Sequence, residues 1–316
     1  MAAGPRTLLS FRLPTNRLIS WAEYGSSKGR PLIFLHGTPS SRLECAEFHD
    51  ELKIRNIRLI APDRPGFGRS EFLPGRTIGG YATDILALAK HLDMTKYHVM
   101  GGSGGGPYAL ACARYLQPED GLQGVCVFAG MAPYDCGLKG MNWRLSLSFG
   151  MANWTPRLLR FIMRSALPTP TGDFTGPIDQ WTLDPSAQEA AKKNVDAFVK
   201  TLKGREKEVM SKPGVADYMA TATVESLIQG FDPYMHEAKL FAQPWDFKIE
   251  DVTFASEGKG PISLVYGTDD VNTTIHMGRW IAERVGGSNL KEVEGETHFT
   301  IGERFVDYCD EFLQMT

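Results

Sequence analysis

The sequence has no apolar run of the roughly 18 residues that a membrane-crossing helix needs, so no span is expected. Its opening residues, MAAGPRTLLSFRLPTNR, lack the apolar core of a secretory signal. No block of one charge is present. The 34 Lys and Arg are balanced by 37 Asp and Glu, for a net charge of −3, which offers no basic face to nucleic acid. Cysteine is sparse: five residues, widely spaced, with no C-x-x-C pair. That gives no support for a zinc site and points to reduced thiols in a reducing, cytoplasmic compartment. There is no G-K-[ST] triplet, so a nucleotide P-loop is absent, and no internal repeat appears.

What is present suits one large α/β unit with an insertion. The chain has 316 residues, 42% of them hydrophobic, enough for a sizeable core. Apolar runs of strand length recur at 17–24, 31–35, 57–61, 96–100, 122–129 and 261–266. The later ones are almost continuously apolar, as strands buried on both faces of a parallel sheet are. Helical patterns lie between them at 41–54, 79–92, 106–117 and 272–285. Alternating strand and helix predicts a doubly wound, mostly parallel sheet. The rhythm breaks between residues 131 and 250, where Met, Trp and Phe are frequent and helices are expected at 142–166, 185–203 and 215–230. The expected organisation is a core domain of residues 1–130 and 251–316, with 131–250 inserted as a helical cap.

One stretch gathers the chemistry. In HVMGGSGGGPYALACARYL, residues 98–116, five glycines surround Ser103. A strand leads in and a helix leads out, and Gly101-Gly102-Ser103-Gly104-Gly105 matches G-x-S-x-G. A serine at so sharp a turn needs small residues two before and two after it, and Gly101 and Gly105 meet that need. The turn also sets the Gly104 N–H beside the hydroxyl at a helix start, where an anion is favoured. A dinucleotide loop fits poorly, because no acid closes the strand at 122–129. Upstream, the strand at 31–35 ends in His36-Gly37-Thr38-Pro39, and the Thr38 N–H is a candidate second donor. In APDRPGFGRS, residues 61–70, Asp63 and Arg64 are expected to hold a turn rather than to act in chemistry.

Taken in order, LHG, DRPGFGRS, GGSGGGPYALA, YGTDD and GETHF resemble the α/β-hydrolase fold superfamily over nearly the whole chain. The resemblance implies a Ser-acid-His order. It makes Ser103 the nucleophile and His298, in EVEGETHFT, the general base, since earlier histidines precede the serine, His236 lies in the cap and His276 sits inside a helix. It selects Asp270 through G-x-x-D from Gly267, with Asp269 and Asp135 as alternatives. Thr38 and Gly104 then form the oxyanion hole, and His36, Met131, Tyr134 and Trp143 are expected to contact substrate. The implied function is a serine esterase-type hydrolase acting on a small, partly apolar ester, thioester or lactone, with no cofactor and no metal. A C–C bond hydrolase or lyase with the same triad, and a non-catalytic ligand receptor on this fold, are the alternatives. Activity is expected to rise as His298 deprotonates near neutrality.

Overall fold

The computed structural model of the protein describes residues 4–315. Residues 1–3 and 316, at the ends of the expected core domain, lie outside the described residues. In chain order the first half runs β1 (Arg6–Arg12), β2 (Leu18–Gly25), β3 (Arg30–Leu35), α1 (His49–Ile54), β4 (Ile57–Pro62), α2 (Tyr81–His91), β5 (Tyr97–Gly102), α3 (Gly106–Tyr115) and β6 (Leu122–Phe128). Next come α4 (Trp143–Trp154), α5 (Pro156–Ala166), β7 (Gly172–Asp173), β8 (Thr182–Leu183), α6 (Pro185–Thr201), α7 (Gly204–Met210), α8 (Val215–Ser226) and α9 (Asp232–Phe241). The chain closes with β9 (Ile262–Gly267), α10 (Ile275–Arg284), β10 (Asn289–Val293) and α11 (Phe305–Leu313).

Among the described residues, eight strands form one sheet in the order β1-β2-β4-β3-β5-β6-β9-β10, and β7 pairs only with β8. β1 and β2 run antiparallel to their neighbours, and every other pairing in the large sheet is parallel. Successive side chains on a strand point to opposite faces. On β3, Leu32 and Phe34 enter one core with Leu52 of α1 and Phe312 of α11. Ile33 and Leu35 enter the other, with Ile85 of α2, Leu110 of α3 and Ile281 of α10. Each such side chain, fully buried, contributes about 2 kcal/mol of transfer free energy. β5, β6 and β9 are buried almost throughout, as their continuous apolar runs predict.

The expectations need adjusting in three places. β1, absent from the reading of the sequence, is a half-exposed edge strand whose apolar signal is weak. The helix expected over 142–166 is two helices, because Pro156 lacks an N–H and bars helical geometry at Thr155, whose φ is −137° and ψ 55°. An unexpected helix, α9, begins with Pro233 in its first turn. All five cysteines are buried and unpaired. Among the described residues, no helix is long and apolar enough to cross a membrane.

Candidate active site

The carboxyl end of β5 meets α3 through a 3-10 turn, Ser103–Gly105, and Ser103 takes φ +50° there. A left-handed backbone at a non-glycine residue is strained and marks a constrained site. The turn is tight. A Cβ at Gly105 would stand 2.0 Å from the Leu35 carbonyl oxygen, and one at Gly101 would stand 2.3 Å from that of Gly105. Ser103 is half-buried.

Asp270 follows β9 and His298 follows β10, on neighbouring parallel strands. His298 Nδ1–H donates to Asp270 Oδ2 at 2.8 Å, which leaves Nε2 as the basic nitrogen. Asp270 Oδ1 accepts the amides of Asn272 and Thr273 at 2.7 and 2.9 Å. Burial would raise the Asp270 carboxyl, but the His298 charge, its N–H and those two amides hold it below the usual range. Burial likewise acts to lower His298. The Asp270 charge and hydrogen bond, then Glu44 and Glu206, outweigh it and raise the imidazole above 6.5.

Thr273 ties this pair to the Ser103 turn. Its Oγ1 lies 2.7 Å from the Ala129 carbonyl oxygen, 3.0 Å from Asp270 Oδ2 and 3.0 Å from His298 Nδ1. Two residues beyond Ala129, the Met131 amide donates to the Ser103 carbonyl at 3.0 Å. The exit from β6 thus links Ser103 to the Asp270–His298 pair. Thr273 stands three residues past Asp270 in DDVNTT, and that spacing was its only sequence signal.

Thr38 and Gly104 lie side by side, since a Cβ at Gly104 would stand 2.6 Å from Thr38 Oγ1. The Thr38–Pro39 bond is cis. Thr38 Oγ1 donates to Glu237 Oε1 at 2.7 Å and accepts from Arg64 Nη2 at 2.7 Å. Glu237, on α9, also accepts from Arg64 Nη2 at 2.7 Å, from the Tyr108 hydroxyl at 2.9 Å and from Arg76. Burial would raise the Glu237 carboxyl, but Arg64 and Arg76 hold it at about 2. Asp63 and Arg64 hold the turn, as expected: Asp63 accepts the Arg42 and Arg69 amides at 2.7 and 3.0 Å.

The structure places the four expected substrate contacts in different surroundings. His36 is fully buried; its Nδ1 lies 2.8 Å from the Gly37 carbonyl oxygen and its Nε2 accepts the Arg64 N–H at 3.2 Å. Burial first, then the Arg64 charge, keeps it neutral, and both ring nitrogens have partners within the protein. Met131 is 9% exposed and joins the core. Tyr134 and Trp143 are at the surface, 48% and 67% exposed, and the Arg144 guanidinium lies over the Trp143 ring. Among the described residues, no group of three or more His, Cys, Asp or Glu is arranged to hold a metal ion.

Residues 32–311 match a family model described as the Alpha/beta hydrolase family. A proline iminopeptidase of Lactobacillus acidophilus is 24% identical over 92% of this chain and 89% of its own. A proline iminopeptidase of Lactobacillus crispatus is 23% identical over the same shares, while six other curated relatives align over 30% to 33% of this chain and 26% to 36% of their own lengths. Among solved structures, the esterase RhEst1 from Rhodococcus sp. superposes with a TM-score of 0.62 at 19% identity, over 98% of both chains. The enol-lactonase from Burkholderia xenovorans gives 0.61 at 18% identity, over 97% of this chain and 100% of that one. At such identities the superpositions establish the fold.

Proposed function

Because the chain belongs to the alpha/beta hydrolase family, we propose that it is a serine hydrolase that cleaves an ester, thioester or lactone of a small, partly apolar substrate through an acyl-enzyme. Ser103 Oγ attacks the carbonyl carbon as its proton passes to His298 Nε2, and the carbonyl electron pair moves to oxygen. The N–H groups of Thr38 and Gly104 receive the oxyanion, each worth about 3 kcal/mol of barrier lowering. His298 protonates the leaving group and then activates the water that releases the acyl chain. Asp270 fixes the tautomer and stabilises the imidazolium. Residues 131–250 serve as the cap, and the buried, unpaired cysteines suit a cytoplasmic setting.

The observation that carries this reading is the 2.8 Å bond from His298 Nδ1 to Asp270, joined through Thr273 and the β6 exit to a serine at φ +50°. The esterase and enol-lactonase likenesses favour an ester or lactone. The proline iminopeptidase likeness supports a second reading, in which the same machinery cleaves a peptide bond.

Labelling with a fluorophosphonate probe, together with turnover of p-nitrophenyl acetate, a lactone series and proline β-naphthylamide, tests the proposal against Ser103→Ala. Ester or lactone turnover lost in the variant supports it. Labelling with preferred amide turnover selects the second reading, and absence of labelling overturns both. The acidic limb of kcat/KM is expected above 6.5, because His298 is raised and must be neutral to act as base. A flat profile between about pH 5 and 8 would remove His298 from that role.

A further inference from the structure

A carboxylate that the proposed mechanism does not use lies beside the nucleophile. Glu44 stands in the first turn of the 3-10 segment Arg42–Phe48, just after the Gly37-Thr38-Pro39 loop. The Gly37 N–H donates to Glu44 Oε2 at 2.8 Å, and the Gly37 carbonyl accepts from Arg64 Nη2 at 2.9 Å. A Cβ at Gly37 would stand 3.3 Å from Ser103 Cβ and 3.5 and 3.6 Å from the two Glu44 oxygens. A Cβ at Gly102, on the other side, would stand 3.8 Å from Glu44 Oε1. The carboxylate and Ser103 therefore both adjoin the space beside Gly37, while at Gly102 the Phe34 ring, 3.0 Å from such a Cβ, lies closer than the carboxylate.

The surroundings of both ionisable groups are defined. Glu44 faces the Ser40 hydroxyl and the Gly37 amide, which donate to it, and the charges of Arg64 and His298. Burial raises its carboxyl above 4.5, and those four partners act in the opposite direction. His298 faces Asp270, Glu44 and Glu206, all anionic, and the Thr273 hydroxyl. Asp270 is engaged at Nδ1, so Glu44 is a second carboxylate acting on a ring whose Nε2 takes the proton.

We propose that Glu44 is a positioning residue: it holds the Gly37 amide so that the next residue's N–H, on Thr38, faces the oxyanion, and its negative charge favours the proton on His298 as Ser103 attacks. This rests on the serine-hydrolase reading above. As the Oγ–carbon bond forms, the serine proton moves to Nε2 and the carbonyl pair moves to oxygen. The imidazolium so created lies in the field of three carboxylates, Asp270, Glu44 and Glu206, instead of two. The same charge opposes the oxyanion, so the sign of its net effect on kcat is a direct test.

Glu44→Gln keeps the size and an oxygen for the Gly37 N–H but removes the charge. The expected result is an acidic limb of kcat/KM shifted down by about half a pH unit or more, with kcat reduced about tenfold and KM nearly unchanged. Glu44→Asp restores part of kcat. A titration of the His298 ring by NMR, without substrate, moves in the same direction in Glu44→Gln. An unmoved ring titration, or a kcat that rises in Glu44→Gln, overturns the proposal. Should Ser103→Ala keep full turnover, the serine-hydrolase reading fails, while the ring titration still decides whether Glu44 acts on His298.

Discussion

The two ends of the helical segment between β6 and β9 are held in opposite ways. At the far end, α8 and α9 each place one glutamate between two core arginines. Glu225 accepts from Arg42 at 2.8 Å and from Arg69 at 2.6 and 3.2 Å. Glu237 sits between Arg64 and Arg76, with Thr38 and Tyr108 completing its shell. At the near end, α4 and α5 bury Ala152 and Leu159 against Ala242 but leave Trp154 and Phe161 87% and 69% exposed. The ion pair joining α5 to α9, Arg160 with Asp232, is at the surface. Buried ion pairs add little net stability compared with an apolar core, but they are intolerant of losing one partner. The far end is therefore locked to the Thr38 loop by buried charge, while the near end rests on apolar packing against α9 and a surface ion pair.

Breaking the far clasp is the most severe test of this contrast. Glu237→Ala strands two buried guanidinium groups, and a loss of about 3–5 kcal/mol is expected in urea unfolding. Because Thr38 Oγ1 loses its acceptor, kcat is expected to fall as well. Glu225→Ala is expected to lose a similar amount of stability, about 3 kcal/mol, with kcat little changed, since Glu225 does not touch Thr38. Equal loss of kcat in both variants would contradict the link from Glu237 to the site.

A pH series sharpens the comparison. Glu237 titrates at about 2 in the folded chain against 4.5 unperturbed. Its stabilisation is thus complete above 4.5 and lost as pH falls toward 2. The stability gap between the wild type and Glu237→Gln is expected to narrow over that interval, and a constant gap would show that the charge is not the cause. The smallest effects belong to the near end. Arg160→Ala and Trp154→Ser are expected to change stability by less than about 1 kcal/mol, the former only at low salt. A loss comparable to Glu237→Ala at either position would erase the distinction between the two ends.

Legibility in the sequence follows the range of the interaction. Ser103 was readable because its turn is local: the glycines that clear the elbow stand within two residues of it. Asp270 and His298 were readable from motif order, and the structure joins them by a hydrogen bond. The burial of His36 was not legible, because its ring partner Arg64 lies 28 residues along the chain. Glu237 lies 173 residues from Arg64 and 161 from Arg76, and Glu225 lies 156 from Arg69. Nothing in the periodicity of α9 distinguishes a glutamate aimed at a buried arginine from one on a solvated face. Glu44 is hidden likewise, since its partners are Gly37, in the loop after β3, and the end of β5, which the fold alone brings together.

The sequence by itself determined the alternation of strand and helix, the two-sided burial of β5, β6 and β9, and the strained turn under Ser103, because each depends on residues adjacent in the chain. Only the tertiary structure decided which charges meet: Glu237 with Arg64 and Arg76, Glu225 with Arg42 and Arg69, Glu44 with the Gly37 amide. Attraction between ionised groups is set by separation in space and by exclusion of water. Neither quantity exists until the sheet, its helices and the segment between β6 and β9 have packed together.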